Sequence, residues 1–129
     1  MHKRLQPSQD AILCINALHH TVSSAQLQFA GQQAFMASPD ATLKLAHAWA
    51  ETDFRGDATR ITVPTLIIHG TSDKLVPIEH SGARMKSLVA NSELLEYDGE
   101  PHGLTNTAPD KLNEDLLRFL RAPARVAAL

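Results

Sequence analysis

The sequence predicts an α/β fold whose second half is a βαβα unit of a parallel sheet. Three observations carry this. The apolar period changes at Ile61 from helical to nearly continuous, and the segments beyond it run strand, loop, helix, strand, loop, helix. The last of these has Leu112, Leu116, Phe119 and Leu120 at i, i+4, i+7 and i+8, one apolar face of a helix.

Taken in order, the elements begin with Lys3 and Arg4 ahead of an apolar stretch at Ala11 to Leu18, superficially like a signal peptide. Gln6, Ser8, Gln9 and Asp10 interrupt the approach, Asn16 splits the stretch, and no small-residue cleavage pattern follows. A short helix or loosely packed terminus is expected there, and a cytoplasmic location. Ser24 to Ala37 is rich in Gln and Ala, and Leu27, Phe29, Ala30 and Phe35 give a loose helical pattern. Ser38-Pro39-Asp40 then offers an N-cap followed by proline at the first helical position. The helix it starts runs to about Thr52, with Leu45 and Trp49 four apart and Leu43, Ala46 and Ala50 beside them. Trp49 is expected to pack.

Ile61, Val63, Leu66, Ile67 and Ile68 read as a strand buried on both faces, with Pro64 confining its ladder mostly to the residues after it. The loop Gly70-Thr71-Ser72-Asp73-Lys74 follows. Pro77 then introduces a helix whose Ile78, Met85, Leu88 and Val89 share a face with Gly82. Ser92 to Tyr97 is the next strand, and Asp98-Gly99-Glu100-Pro101 the loop after it. Thr107 with Asp110 resembles a capping box for the final helix, on which Glu114 and Arg118 form an i, i+4 pair. The expected division is a helical, cap-like segment over 1–58, the βαβα unit over 59–122 and a tail over 123–129.

Composition narrows the function classes. With 129 residues, 43% hydrophobic and 20% charged, the chain fits one globular domain, and no apolar run is long enough to cross a bilayer. Twelve basic against 14 acidic residues, with no basic run, leave no footprint for nucleic acid. The single cysteine, Cys14, excludes an internal disulfide. A parallel sheet covered on both faces usually takes more than this length, so an incomplete sheet is expected.

Functional groups of parallel sheets collect in loops at the carboxyl ends of the strands. Asp73 follows the first strand here and His102 the second, and one helical crossover brings such loops to the same edge. A carboxylate accepting the Nδ1 proton of an imidazole sets its tautomer and stabilises its protonated form, as a general base for a serine or cysteine nucleophile requires. Taken singly, Asp73 also suits an Asx turn and His102 an exposed loop.

The stretch from Val63-Pro64-Thr65 through His69-Gly70-Thr71-Ser72-Asp73 to Pro77, with Pro101-His102-Gly103-Leu104, resembles the carboxyl-terminal part of an α/β-hydrolase. Ala50-Glu51-Thr52-Asp53-Phe54-Arg55 and Leu112-Asn113-Glu114-Asp115-Leu116-Leu117 are similar to its esterase, perhydrolase and cofactor-free haloperoxidase branch. The resemblance covers roughly Gln26 to Arg121. It implies a partial α/β-hydrolase fold, Asp73 as triad acid, His102 as triad base, and no cofactor. It also implies that the helical segment is the end of a cap, with Phe29, Phe35, Met36 and Trp49 as pocket-lining residues.

The family pattern also requires G-x-S-x-G on a strand-to-helix turn, and no such motif occurs in the sequence. Cys14 precedes Asp73 and His102 in the right order, but Ala11-Ile12-Leu13-Cys14-Ile15-Asn16 has no glycine to make the strained turn, so Cys14 reads as a buried structural residue. The chain is therefore expected to be the half of a serine hydrolase that carries acid and base, inactive alone. Its substrate would be a small ester or carboxylic acid, and it would pair with a complementing chain or with itself. No nucleic acid or membrane partner is expected. The edge of the first strand, facing the absent nucleophile strand, should be unpaired and apolar.

Two other readings differ in kind. One is a non-catalytic binding module that retains a degenerate hydrolase core, indifferent to replacement of His102. The other is a metal site drawn from His69, Asp73, His80 or His102, against which His69 should point into or beside the sheet and no ligand spacing is present.

Overall fold

A computed structural model describes residues 22–122. Cys14, the apolar stretch at Ala11 to Leu18 and the tail over 123–129 lie outside the described residues.

Helix α1 spans Ser24–Met36 and is started by a capping box in which Ser23 and Gln26 satisfy each other's backbone N–H groups. Helix α2 spans Pro39–Glu51, with Ser38 accepting from the Ala41 N–H and proline in its first turn, as expected. A single turn, α3, covers Arg55–Ala58. The apolar stripe on α2 is not buried by the described residues: Leu45 is 70% and Trp49 69% exposed. Trp49, expected to pack, instead lines an open groove with Phe54, Arg84 and Met85.

Strand β1 is Thr65–Gly70 and strand β2 is Ser92–Tyr97. They pair in parallel from Thr65 opposite Ser92 to Gly70 opposite Tyr97, and together form a two-stranded sheet among the described residues. The strand expected to be buried on both faces is only half-buried along Thr65 to His69, and among the described residues β2 pairs along one of its edges and no strand along the other. The connection is also less regular than one helix. A 3-10 turn at Ile78–His80 is separated by Ser81, with φ -136° and ψ -89°, from helix α4 at Gly82–Leu88.

After β2, a short helix α5 at Leu104–Thr107 precedes α6 at Pro109–Arg121. The expected capping box at Thr107 and Asp110 is not formed. The N-cap of α6 is Ala108, with no side-chain cap bond, because Pro109 sets the first turn and the Thr107 hydroxyl donates instead to the Gly103 carbonyl at 3.4 Å. Arg118 likewise does not pair with Glu114; it reaches Asp115 at 3.0 Å and Glu93 on β2 at 3.8 Å.

The best-buried residues gather at the carboxyl ends of the strands rather than along them. Tyr97, Glu100, Thr107 and Asp73 are all less than a tenth exposed, as is Val89 after α4. Tyr97 joins the sheet to α6: its hydroxyl donates to Asp115 at 2.6 Å, and Lys111 Nζ sits over its ring, 3.4 Å from the centroid.

Candidate active site

The loops after β1 and β2 are stitched to each other by backbone. The Thr71 N–H donates to the Tyr97 carbonyl at 2.9 Å and the Ser72 N–H to the Glu100 carbonyl at 3.0 Å. The Gly99 N–H donates to the Thr71 hydroxyl at 2.8 Å, with Gly99 at φ 70°, a left-handed conformation that suits glycine. Gly70 is required by proximity: a Cβ there would lie 2.7 Å from the Pro101 carbonyl oxygen and closer still to that of Glu100. This close approach of two backbones fixes the distance between the Asp73 and His102 loops.

On that base His102 Nδ1 lies 2.8 Å from Asp73 Oδ2. The other carboxylate oxygen, Oδ1, accepts the N–H groups of Leu75 at 3.0 Å and Val76 at 2.9 Å. Asp73 is therefore both an Asx-turn residue and a histidine partner, one oxygen serving each purpose. Its side chain is 3% exposed, while that of His102 is 46% exposed, so the ring is anchored at one nitrogen and open at the other. Burial alone would push the Asp73 carboxyl up, but the Val76 N–H, the bond and charge of His102 and the Leu75 N–H outweigh it and hold the group below its ordinary value. Because a carboxylate only accepts, Nδ1 of His102 carries the proton and Nε2 is left to take one.

His69 is a neighbour that sequence spacing did not single out as part of this pair. Its Nε2 lies 2.9 Å from the Val76 carbonyl and 3.3 Å from Asp73 Oδ2. The expectation that it points beside the sheet holds, since Gly82 at the start of α4 lies against its ring. An i, i+4 His–Asp pair straddling a strand end was the available signal. Among the described residues no three His, Cys, Asp or Glu side chains are arranged to hold a metal ion.

The four side chains expected to line a pocket do not meet in one place among the described residues. Phe29 lines a shallow depression with Gln26, Gln33 and Asn106, so α1 lies beside the segment that follows His102. Trp49 lines a separate groove of about 600 Å³ with Phe54, His80, Arg84 and Met85. Phe35 and Met36, 94% and 81% exposed, stand in solvent. No described helix is long and apolar enough to cross a membrane.

Comparison with known proteins adds to this geometry. Residues 7–105 match the family model for the alpha/beta hydrolase fold. Over 102 residues the chain is 39% identical to a non-heme chloroperoxidase of Streptomyces lividans, covering 79% of this chain and 37% of that protein. Over 75 residues it is 44% identical to a bifunctional esterase/perhydrolase of Acinetobacter calcoaceticus, covering 58% of this chain and 27% of that protein. The crystal structure of a bromoperoxidase from Bacillus anthracis superposes with a TM-score of 0.74 at 42% identity, covering 78% of this chain and 36% of that one. The chain thus spans between about a quarter and little more than a third of the length of these relatives.

Proposed function

The chain belongs to the alpha/beta hydrolase family, and from that premise we propose that Asp73 and His102 are the acid and base of an acyl-transfer triad acting on esters or small carboxylic acids. The observation that carries the reading is the 2.8 Å contact between His102 Nδ1 and the buried Asp73 carboxylate, with the far side of the ring left open. In this reading residues 1–58 are the end of a cap and 59–122 the last part of the core, at work in the cytoplasm. The nucleophile, a serine on a G-x-S-x-G turn, comes from outside these residues, on a complementing chain or further sequence.

The chemistry assigned to this chain is proton handling. His102 Nε2 takes the serine hydroxyl proton as its oxygen adds to the acyl carbonyl, and Asp73 stabilises the imidazolium that results. The same proton is returned to the alkoxide leaving group, which departs as the alcohol. Water then enters by the reverse use of the ring, its proton passing to Nε2 and back to the serine, releasing the carboxylic acid. Hydrogen peroxide in place of water gives a peracid, a reaction that fits the relative named an esterase/perhydrolase.

The test is complementation. The chain is produced together with the amino-terminal part of an alpha/beta hydrolase that carries a G-x-S-x-G turn, and hydrolysis of p-nitrophenyl acetate is followed. Turnover is expected in the assembled pair and not in the chain alone. His102→Ala should lower kcat on the order of 10³-fold or more, and Asp73→Asn by about as much because the imidazole then holds the wrong tautomer. Unchanged turnover in either variant removes that residue from the mechanism. An assembled pair without turnover favours the other reading, a binding module built on a hydrolase core.

A further inference from the structure

The carboxylate oxygen that meets His102 has a second histidine against it. His69 Nε2 faces two oxygens, the Val76 carbonyl at 2.9 Å and Asp73 Oδ2 at 3.3 Å. A carbonyl oxygen only accepts, so Nε2 of His69 carries a proton, and its N–H lies along the mouth of the 73–76 turn. Asp73 Oδ1 closes the turn from within through the two N–H groups it accepts, and the Ser81 hydroxyl is a longer second donor to the Val76 carbonyl, at 3.4 Å. The ring has little freedom. Its side chain is 13% exposed, and a Cβ on Gly82 would stand 2.9 Å from Nδ1 and 3.2 Å from Cβ and Cγ, so the ring rests directly on the α4 backbone.

We propose that His69 is a positioning residue for the Asp73–His102 pair: it clamps the 73–76 turn through the Val76 carbonyl and holds Oδ2 of Asp73 where Nδ1 of His102 meets it. Two properties make the clamp directional. The bond to the Val76 carbonyl acts on the residue whose own N–H holds Oδ1, so Val76 is gripped through both of the peptide groups that flank its Cα. The partial positive charge of the Nε2–H against Oδ2 favours the ionised carboxylate that His102 needs as an acceptor. Gly82 is the second part of the device, since any side chain there would lift the ring from its seat.

The inference rests on the triad reading only for its consequence in turnover; the His102 tautomer is read without it. The readout is the tautomer of His102, taken from the ring nitrogen shifts of the full chain labelled with 15N, a quantity that a merely structural histidine would not move. The wild-type chain should show the proton on Nδ1. His69→Gln, whose amide nitrogen presents a donor near the same point, should retain it. His69→Leu and Gly82→Ala should lose it in most molecules, with His102 passing to the Nε2–H form that a free imidazole prefers.

A folded His69→Leu chain with His102 still protonated on Nδ1 overturns the proposal, as does loss of that form in His69→Gln. If His69→Leu fails to fold, Gly82→Ala decides: its ring is displaced but chemically intact, and an unchanged His102 tautomer there also overturns the clamp. Should the tautomer follow the prediction while the complemented pair shows no turnover, the clamp stands and the triad reading falls.

Discussion

Asp73 concentrates the physical chemistry of this chain in two oxygen atoms. Oδ1 holds the turn and Oδ2 holds the imidazole, and the side chain is 3% exposed, so neither task is shared with water. Its carboxyl is held below the ordinary value despite burial, chiefly by the Val76 N–H and by His102. A depressed carboxylate pKa gives stability that is present above the unfolded value, about 3.9, and is lost as the pH falls through the folded one. The stability difference between wild type and Asp73→Asn should therefore be about 1–3 kcal/mol near neutral pH and shrink steadily below about pH 4. Urea unfolding across that range checks it; a difference that does not change with pH would mean the carboxylate charge contributes nothing. The residue types at 73 and 102 were readable from the sequence because each follows a strand. The Gly70 approach to the next loop was not, since only folding brings those two backbones together.

Among the elements, β2 is the one tied in most directions. It pairs with β1 along six residues, and its last side chain, Tyr97, reaches α6 through Asp115 and lies beneath Lys111. Burial first, and then the bond to Asp115, push the phenol of Tyr97 up, while the same bond is the main cause of the lowered Asp115 carboxyl. Tyr97→Phe leaves Asp115 with Lys111 and Arg118 but without its buried donor, and should cost about 1.5–3 kcal/mol in urea unfolding. A loss below about 0.5 kcal/mol would show that the hydroxyl exchanges freely with water. The end of β2 was legible because the Asp98-Gly99 turn follows it directly. The start of α6 was misread because Thr107 and Asp110 have the spacing of a capping box. Local spacing cannot show that the Thr107 hydroxyl is already committed to the Gly103 carbonyl.

For the whole molecule, the described residues leave large apolar side chains uncovered, Phe35, Met36, Leu45, Trp49 and Leu120 each more than two-thirds exposed. In addition, β1 offers an edge with no partner among the described residues. Scattered apolar residues are ordinary on a surface, but a helix face and an open strand edge together favour association. The isolated chain should sediment as a concentration-dependent mixture of monomer and larger species between about 1 and 100 μM. Addition of the complementing part should collapse this to one heterodimer. A strictly monomeric chain over that range would show that these surfaces do not drive association.

By itself the sequence determined the α/β class, the order of the two strands and the main helices, and the placing of Asp73 and His102 in the loops after the strands. These follow from apolar period, turn residues and position after a strand, all of which are local. Only the tertiary structure decided which oxygen of Asp73 meets His102, that His69 stands against it, and that the pocket residues proposed from helices α1 and α2 fall in separate places. Those facts depend on how far apart the loops and helices come to rest. For the loops and α4 that is set by the backbone contact at Gly70 and the seat at Gly82, which no short window of residues contains.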